Sequence, residues 1–369
     1  MPRIILVAGA RPNFMKVKPV LDALESRGAS VVLVHTGQHY DAAMNDVFFT
    51  DLGLRPPDRH LGTGSGSHAT QTARVMTAFE PLVDELKPDA VVVVGDVTST
   101  LACSLVAAKA GVPVAHVEAG LRSRDWSMPE EVNRVVTDRL SDLLFAPSPD
   151  GVENLRAEGY HDDQIHLAGN VMIDTLYANL DRALASDVLH RHGLTPGSYA
   201  LATLHRPANV DDPAMLAGLL EALSAVAAEL PVVLPVHPRT AARLPQTSGL
   251  RLIPPAGYLD FIALQASARL VLTDSGGIQE ETTALGVPCL TLRDSTERPI
   301  TVTEGTNTLV GRDPARIIAT ARRVLSDPPL KRTPALWDGH AGDRIAEVLL
   351  RFLAAPERLR PTDARGVTV

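Results

Sequence analysis

The stretch Val271–Leu290, VLTDSGGIQEETTALGVPCL, decides the fold. An apolar, β-branched run stops at Thr273-Asp274-Ser275. Two glycines follow, and then a segment that reads as a helix carries the adjacent carboxylates Glu280 and Glu281. A strand, a glycine turn and a helix leading to the next apolar run form the repeating unit of a parallel α/β sheet. A helix N-terminus offers free N–H groups and a partial positive charge, and glycines let an anion approach the backbone. Ser275 can cap the helix or bind phosphate, and Gly276 and Gly277 open it. Glu280 and Glu281 stand about 100° apart on a helix, so only one can face a given ligand. That one can accept two hydrogen bonds from a cis-diol such as ribose. A plain N-cap followed by acidic early turns fits the same residues.

The pattern extends in both directions. In the first half, short apolar runs at 4–10, 30–37, 90–96, 113–120, 142–148 and 165–170 alternate with helical patterns. The series resumes at 199–205, 231–237, 250–255, 270–276, 288–294 and 307–311. Continuous apolar strands separated by helices imply parallel sheets covered on both faces. Two such series predict an α/β protein of two Rossmann-like, doubly wound domains, 1–172 and 173–344. A terminal amphipathic helix, about 345–358, is expected to pack back on the first domain. Arg11, Gln38, Asp96, Glu118, His205, His237, Ser275 and Arg293 follow apolar runs directly. Ligands of open α/β sheets bind at the carboxyl ends of the strands, so the active site is expected in the cleft between the two domains.

Composition narrows the function classes. The 369 residues carry a formal net charge of -8, which excludes nucleic acid as a general partner. The two cysteines, Cys103 and Cys289, lie inside apolar segments and read as buried thiols; no Cys/His cluster has metal-site spacing. The apolar N-terminal run is too short for a secretory signal, and no stretch approaches the roughly 20 apolar residues of a membrane span. A cytoplasmic location is expected. GTGSGSHA (62–69) contains a loose dinucleotide fingerprint but follows RPPDRHL instead of an apolar strand. It reads as a mobile loop, and no NAD or other cofactor is expected.

GARPNFMK (9–16) places Arg11 and Lys16 just after the first strand. With only five lysines against thirty arginines, Lys16 is poor surface filler. An arginine and a lysine at a strand end suit a diphosphate. Asp96, Glu118 and Glu130 close or follow apolar strands, and Arg134 lies four residues beyond Glu130. Carboxylates in such places are costly without a partner or a task, and three together point to acid/base chemistry. His205 and His237 add proton carriers or phosphate donors.

Together, GARPNFMK, TGQHYD, GDVTSTLA, HVEAGLRS, MPEEVNRVVTD, PVHPRT, LTDSGGIQEE and STERPITVTEGTN resemble the non-hydrolysing UDP-N-acetylglucosamine 2-epimerases, from Ile4 to about Ile345. The resemblance implies a glycosyltransferase-B type architecture, a homodimer, a UDP-sugar substrate, and epimerisation at C2 through a 2-acetamidoglucal. It implies catalytic roles for Asp96, Glu118, Glu130 and His205. Substrate binding falls to Arg11, Lys16, Arg134, Ser275, Gly276, Gly277, Glu281 (ribose) and Arg298. The chain departs from many relatives at Ala10-Arg11-Pro12-Asn13, at Pro207-Ala208 and in QHYDAAMNDVFF. An allosteric UDP-sugar site, if kept, is expected at Gln38, Arg74, Arg206 and His237. GARPNFMK and TGQHYD are also similar to relatives that act on UDP-2,3-diacetamido-glucuronate. A hydrolysing epimerase, an acceptor-dependent glycosyltransferase and a non-catalytic UDP-sugar-binding regulator are the competing classes. Val97-Thr98-Ser99-Thr100 resembles the UDP-returning group.

Overall fold

Among the described residues, thirteen parallel strands fall into two sheets. A computed structural model describes residues 1–9, 11–37, 51–236 and 249–355, the side chains of Arg11 and Pro12 excepted. Gln38 and His237 lie outside the described residues.

The first unit takes the chain as far as Asp174, apart from a few residues around Leu52, and takes it up again from Asp338. Its strands are β1 (Arg3–Ala8), β2 (Ser30–His35), β3 (Arg59–His60), β4 (Ala90–Val94), β5 (Val114–Val117), β6 (Leu143–Ala146) and β7 (Ile165–Leu167). They lie in the order β3-β2-β1-β4-β5-β6-β7. Helices α1 (Arg11–Ser26), α2 (His68–Leu86), α3 (Thr98–Ala110), α4 (Pro129–Leu140) and α5 (Pro149–Ala157) connect or follow them, and α6 (Val171–Leu184) begins in this unit and continues in the second. One sheet face puts Ile5, Val7, Val91 and Val93 against Phe79 and Val83 of α2 and Cys103 and Ala107 of α3. Each large apolar side chain removed from water in this way contributes about 1.5–3 kcal/mol.

The second unit contains β8 (Ala200–Thr203), β9 (Val232–Pro235), β10 (Leu250–Ile253), β11 (Leu270–Thr273), β12 (Cys289–Thr291) and β13 (Asn307–Leu309). Their order is β10-β9-β8-β11-β12-β13. Its helices are α7 (Val188–Arg191), α8 (Pro207–Val210), α9 (Pro213–Ala227), α10 (Tyr258–Ala266), α11 (Gly276–Leu285), α12 (Ile300–Thr303) and α13 (Pro314–Ser326). Alternate strand residues serve opposite faces. Ala200, Leu270, Leu272 and Leu290 pack with Leu219 and Leu223 of α9 and Ile317 of α13. Leu201, Val271 and Cys289 pack with Ala263 and Leu264 of α10. This double coverage is why the strands read as continuous apolar runs.

Helix α14 (Ala341–Ala354) belongs to the first unit. It buries Ile345, Ala346, Leu349 and Leu353. A Cβ at Gly342 would lie 2.6 Å from the carbonyl oxygen of Pro19 in α1, so only glycine permits this approach. The first N–H groups of the helix are unsatisfied by the helix itself; those of Ala341 and Gly342 donate to the Asp174 carboxylate at 3.1 and 2.7 Å.

All twelve apolar runs contain a strand. The thirteenth, β3, is two polar residues long and has no apolar run to reveal it. It corrects one expectation: the 62–69 segment does follow a strand, and Ser67 caps α2 by accepting from Thr70 N. Cys103 and Cys289 are buried free thiols, and burial pushes Cys289 up to about 12. No helix among the described residues is long and apolar enough to cross a membrane.

Each sheet reverses its strand order once, at β1/β4 and at β8/β11. Beyond the carboxyl ends of such strand pairs, open α/β sheets hold ligands.

Candidate active site

In the first unit the switch point begins with Gly9. A Cβ there would meet Val97 Cγ2 at 2.6 Å, so glycine lets the β1–α1 turn pass against the β4–α3 turn. From α1, Lys16 reaches over β4 to form an ion pair with Glu118 Oε2 beyond β5. Both side chains are buried. Such a pair is weak evidence for stability, because desolvation offsets the attraction; it does fix where the carboxylate sits. Glu118 has φ +72°, a left-handed backbone that costs a non-glycine residue about 1–2 kcal/mol. The Glu118 and Ala119 N–H groups hold it there by donating to Phe145 O at 3.1 and 3.0 Å. Glu118 Oε1 is buried and has no hydrogen-bond partner among the described residues.

Gly95 lies beneath this pair. A Cβ on it would lie 3.2 Å from Asn13 Nδ2, 3.2 Å from Glu118 Oε2 and 3.5 Å from Lys16 Nζ. The next residue, Asp96, keeps its carboxylate 28% exposed, with Oδ2 3.6 Å from Arg134 Nε. Its carbonyl accepts from Asn133 Nδ2 at 2.8 Å.

Arg134, expected beside Glu130, instead turns its guanidinium to Glu131 at 3.1 Å and to Asp96. It touches Glu130 through the backbone carbonyl alone, at 3.5 Å. The Glu130 side chain is exposed in the first turn of α4, and Glu131 is the buried neighbour. Glu131 accepts from Ser123 N, Ser123 Oγ and Arg124 N, and so has a structural task.

In the second unit β11 delivers Asp274, fully buried, against the end of β8. Its carboxylate accepts from His205 N (3.1 and 2.9 Å), Arg206 N (2.9 Å) and Asn209 Nδ2 (3.0 Å). These bonds fix the turn that presents His205, whose side chain is 66% exposed. Ser275 occupies the N-cap position of α11 without making a side-chain capping bond. Gly276 leaves room for the ion pair beside it: a Cβ would fall 2.7 Å from Arg298 Nη1 and 2.9 Å from Glu297 Oε1, and those side-chain ends would have to shift.

Three guanidiniums gather around Glu297: Arg298 at 2.5 Å, Arg293 at 2.7 Å and Arg206 at 3.7 Å. Burial pushes the Glu297 carboxyl up, but Arg298 and Arg293 outweigh it and hold the group well below the usual carboxylate range. Burial, with Arg293 alongside, lowers Arg206. With Glu280 on Arg298 and Asp274 against Arg206 counted beside Glu297, carboxylates and guanidiniums balance, and it is the helix N-terminus with its glycines that is suited to an anion.

The adjacent glutamates divide as their spacing requires. Glu280 Oε1 meets Arg298 Nε at 2.9 Å, while Glu281 Oε2 accepts from Gln265 Nε2 at 2.8 Å. Burial, with Glu280 next to it, pushes Glu281 up to about 8. Because this folded value exceeds the roughly 4.3 of an unfolded glutamate, its stabilising contribution is complete below about pH 4. It is lost as the pH rises through 8. The melting temperature of Glu281→Gln relative to the natural protein should therefore rise steadily between pH 5 and pH 8.5. A constant difference across that range would contradict the assignment.

The first unit thus brings together Lys16, Asp96, Glu118 and Arg134, with Glu130 on the neighbouring turn. The second assembles His205, Arg206, Ser275, Gly276, Gly277 and Arg298. Arg74 lies apart on α2, where Nη1 donates to Ser65 O at 3.2 Å. Sequence reading gave no role to Asp274, Glu131 or Glu297. It also missed the fully buried His116 and Asp138; a histidine inside the apolar run PVAHVEAG was the one available signal. Among the described residues no group of His, Cys, Asp and Glu could hold a metal ion.

Comparison with known proteins converges on one family. A family model described as UDP-N-acetylglucosamine 2-epimerase matches residues 22–350. The UDP-N-acetylglucosamine 2-epimerase of Methanocaldococcus jannaschii is 38% identical over 361 residues, covering 94% of this chain and 98% of the relative. The UDP-2,3-diacetamido-2,3-dideoxy-D-glucuronate 2-epimerase of Pseudomonas aeruginosa is 41% identical over 357 residues, covering 95% and 100%. A crystal structure of the M. jannaschii enzyme in complex with UDP-GlcNAc and UDP superimposes with a TM-score of 0.87 at 38% identity, covering 95% of this chain and 99% of that one.

Proposed function

The chain belongs to the UDP-N-acetylglucosamine 2-epimerase family, and on that premise we propose that it converts UDP-N-acetylglucosamine to UDP-N-acetylmannosamine without net hydrolysis. The C2 hydrogen of the sugar is not next to a carbonyl, so direct abstraction is unfavourable. Departure of UDP from C1 builds oxocarbenium character, which acidifies that hydrogen. A carboxylate then removes the proton and leaves a 2-acetamidoglucal. Proton return to the opposite face of C2, with UDP re-adding at C1, completes the epimer. Every electron pair is accounted for, and no redox cofactor takes part.

Each need of this route has a candidate. Ser275, Gly276, Gly277 and Arg298 receive the leaving diphosphate, with Arg11, whose side chain lies outside the described residues, assigned there on the sequence resemblance alone. Glu281 takes the ribose. Asp96, Glu118 and Glu130 carry the proton transfers at C2, with Arg134 and His205 beside the sugar and phosphate. The observation that carries the reading is Glu118. A carboxylate held in a left-handed backbone, paired on one side to Lys16 and buried on the other without a partner among the described residues, is built for a reacting group.

The relative at 41% identity favours a second reading, in which the same chemistry acts on a UDP-diacetamido-glucuronate. Proton NMR of the purified protein with each sugar in D2O separates the two. Deuterium entering C2 of UDP-N-acetylglucosamine with formation of the manno epimer supports the first reading. Exchange confined to the diacetamido-glucuronate supports the second. Accumulation of free N-acetylmannosamine and UDP would assign a hydrolysing enzyme. Absence of exchange with both would remove the epimerase reading. The working unit is proposed to be a homodimer, and a monomeric mass by light scattering would remove that part.

A further inference from the structure

Asp96, Glu118 and Glu130 stand on three separate segments: the turn after β4, the turn after β5 and the first turn of α4. One fully buried pair of side chains touches the first two segments and stands, through Asp138, on the helix that carries the third. His116, on β5, lies with Nε2 2.8 Å from Gly95 O and Nδ1 2.6 Å from Asp138 Oδ1. A carbonyl oxygen can only accept, so Nε2 donates to Gly95. Asp138 rides on α4, and its other oxygen accepts from Gly120 N at 3.1 Å. Arg122 anchors that oxygen at 2.7 Å and is itself held by both oxygens of Glu158.

We propose that the buried His116–Asp138 pair is a positioning device for the proton-transfer carboxylates, acting on Asp96 through the His116 Nε2–Gly95 O bond. This inference rests on the epimerase reading above. Gly95 has φ +72° and its side is crowded by Asn13, Lys16 and Glu118, so its backbone has few alternatives once its carbonyl is held. The next carbonyl, that of Asp96, is held by Asn133 of α4. Two successive carbonyls are thereby pinned, one from β5 and one from α4, and the Asp96 side chain leaves the backbone between them. The Asp138–Gly120 bond closes the turn that starts at Glu118. Because Asp138 and Glu130 share α4, a shift of any one segment is passed to the others. His116 and Asp138 touch no reacting atom in this scheme; they act through Gly95, Gly120 and α4.

Two near-isosteric changes at one position separate positioning from simple packing. The amide nitrogen of glutamine can replace histidine Nε2, and that of asparagine can replace Nδ1. His116→Gln therefore keeps a donor for Gly95, whereas His116→Asn keeps only the contact to Asp138. Wild-type C2 exchange is measured first; if it is absent, the epimerase reading and this inference fall together. With an active wild type, kcat is expected to fall about 100-fold in His116→Asn and to stay within about fivefold in His116→Gln. KM is expected within about twofold of wild type in both, with similar melting temperatures for the two variants. Asp138→Asn, which at constant volume weakens the holds on the ring, on Gly120 N and on Arg122 together, should lower kcat about tenfold with KM unchanged. Equal kcat in the two His116 variants, losses that follow melting temperature, a change confined to KM, or wild-type kcat in Asp138→Asn would each overturn this inference while leaving the reaction itself intact.

Discussion

Glu118→Gln is expected to slow deuterium exchange at C2 by about 10³-fold, the middle of the range for general acid–base catalysis. The substitution keeps side-chain volume and leaves the left-handed backbone supported by the two N–H bonds to Phe145 O. It removes the negative charge that pairs with Lys16 and the basic oxygen that has no partner among the described residues. Some stability is lost as well, because a buried ammonium then faces a neutral amide. UDP affinity, read by titration calorimetry, should stay within about threefold, since the diphosphate residues proposed in the second unit are untouched. Exchange within tenfold of wild type would remove Glu118 from the chemistry.

Asp274→Ala carries the largest expected effect on stability. The carboxylate is completely buried and accepts from two backbone N–H groups and the Asn209 amide, all of them serving one turn. Deleting it strands three donors, each worth about 1–3 kcal/mol when left unpaired. Partial entry of water offsets some of that, so a loss of about 4 kcal/mol is expected, or a fall of roughly 10 °C in melting temperature for a unit of this size. The turn also presents His205 and Arg206, so UDP binding should weaken together with stability. Asp274→Asn should be only partly better, because its amide nitrogen would face donors. A melting temperature within about 3 °C of wild type in Asp274→Ala would show that the turn is held by something else.

The two-sheet architecture was legible because both faces of each sheet are covered. Val91, Val92 and Val93 are all buried, and a run of that kind announces a parallel strand. Arg59-His60 has no such run, and β3 went unread. Strand ends were equally legible: Asp96, Glu118, His205 and Ser275 all stand at switch points or on the neighbouring strand, as their positions after apolar runs implied. Partner choice was not. Glu130 and Glu131 are adjacent in sequence, and what separates them is a pair of backbone N–H groups at Ser123 and Arg124 that finds only Glu131. Likewise, Arg293 and Arg298 meet Arg206 around Glu297 from another strand end, and His116 finds Asp138 across 22 residues. Periodicity reports which face of an element is buried; it says nothing about which polar atoms meet there.

The docking of α14 on α1 bears on how the chain assembles as it is made. The first unit needs Ala341–Ala354 to cover α1 and to engage Asp174, and the second unit, but for the few residues around Leu52, is synthesised in between. At roughly 5–20 residues per second, the ribosome takes on the order of 10–40 s to travel from Asp174 to Ala354. During that interval the apolar surface of α1 that α14 will cover stays open, while the second unit has all of its own strands. The unit that begins first in the message is therefore the one that finishes last, and a nascent chain stalled before Ala341 is the form that chaperones should hold longest.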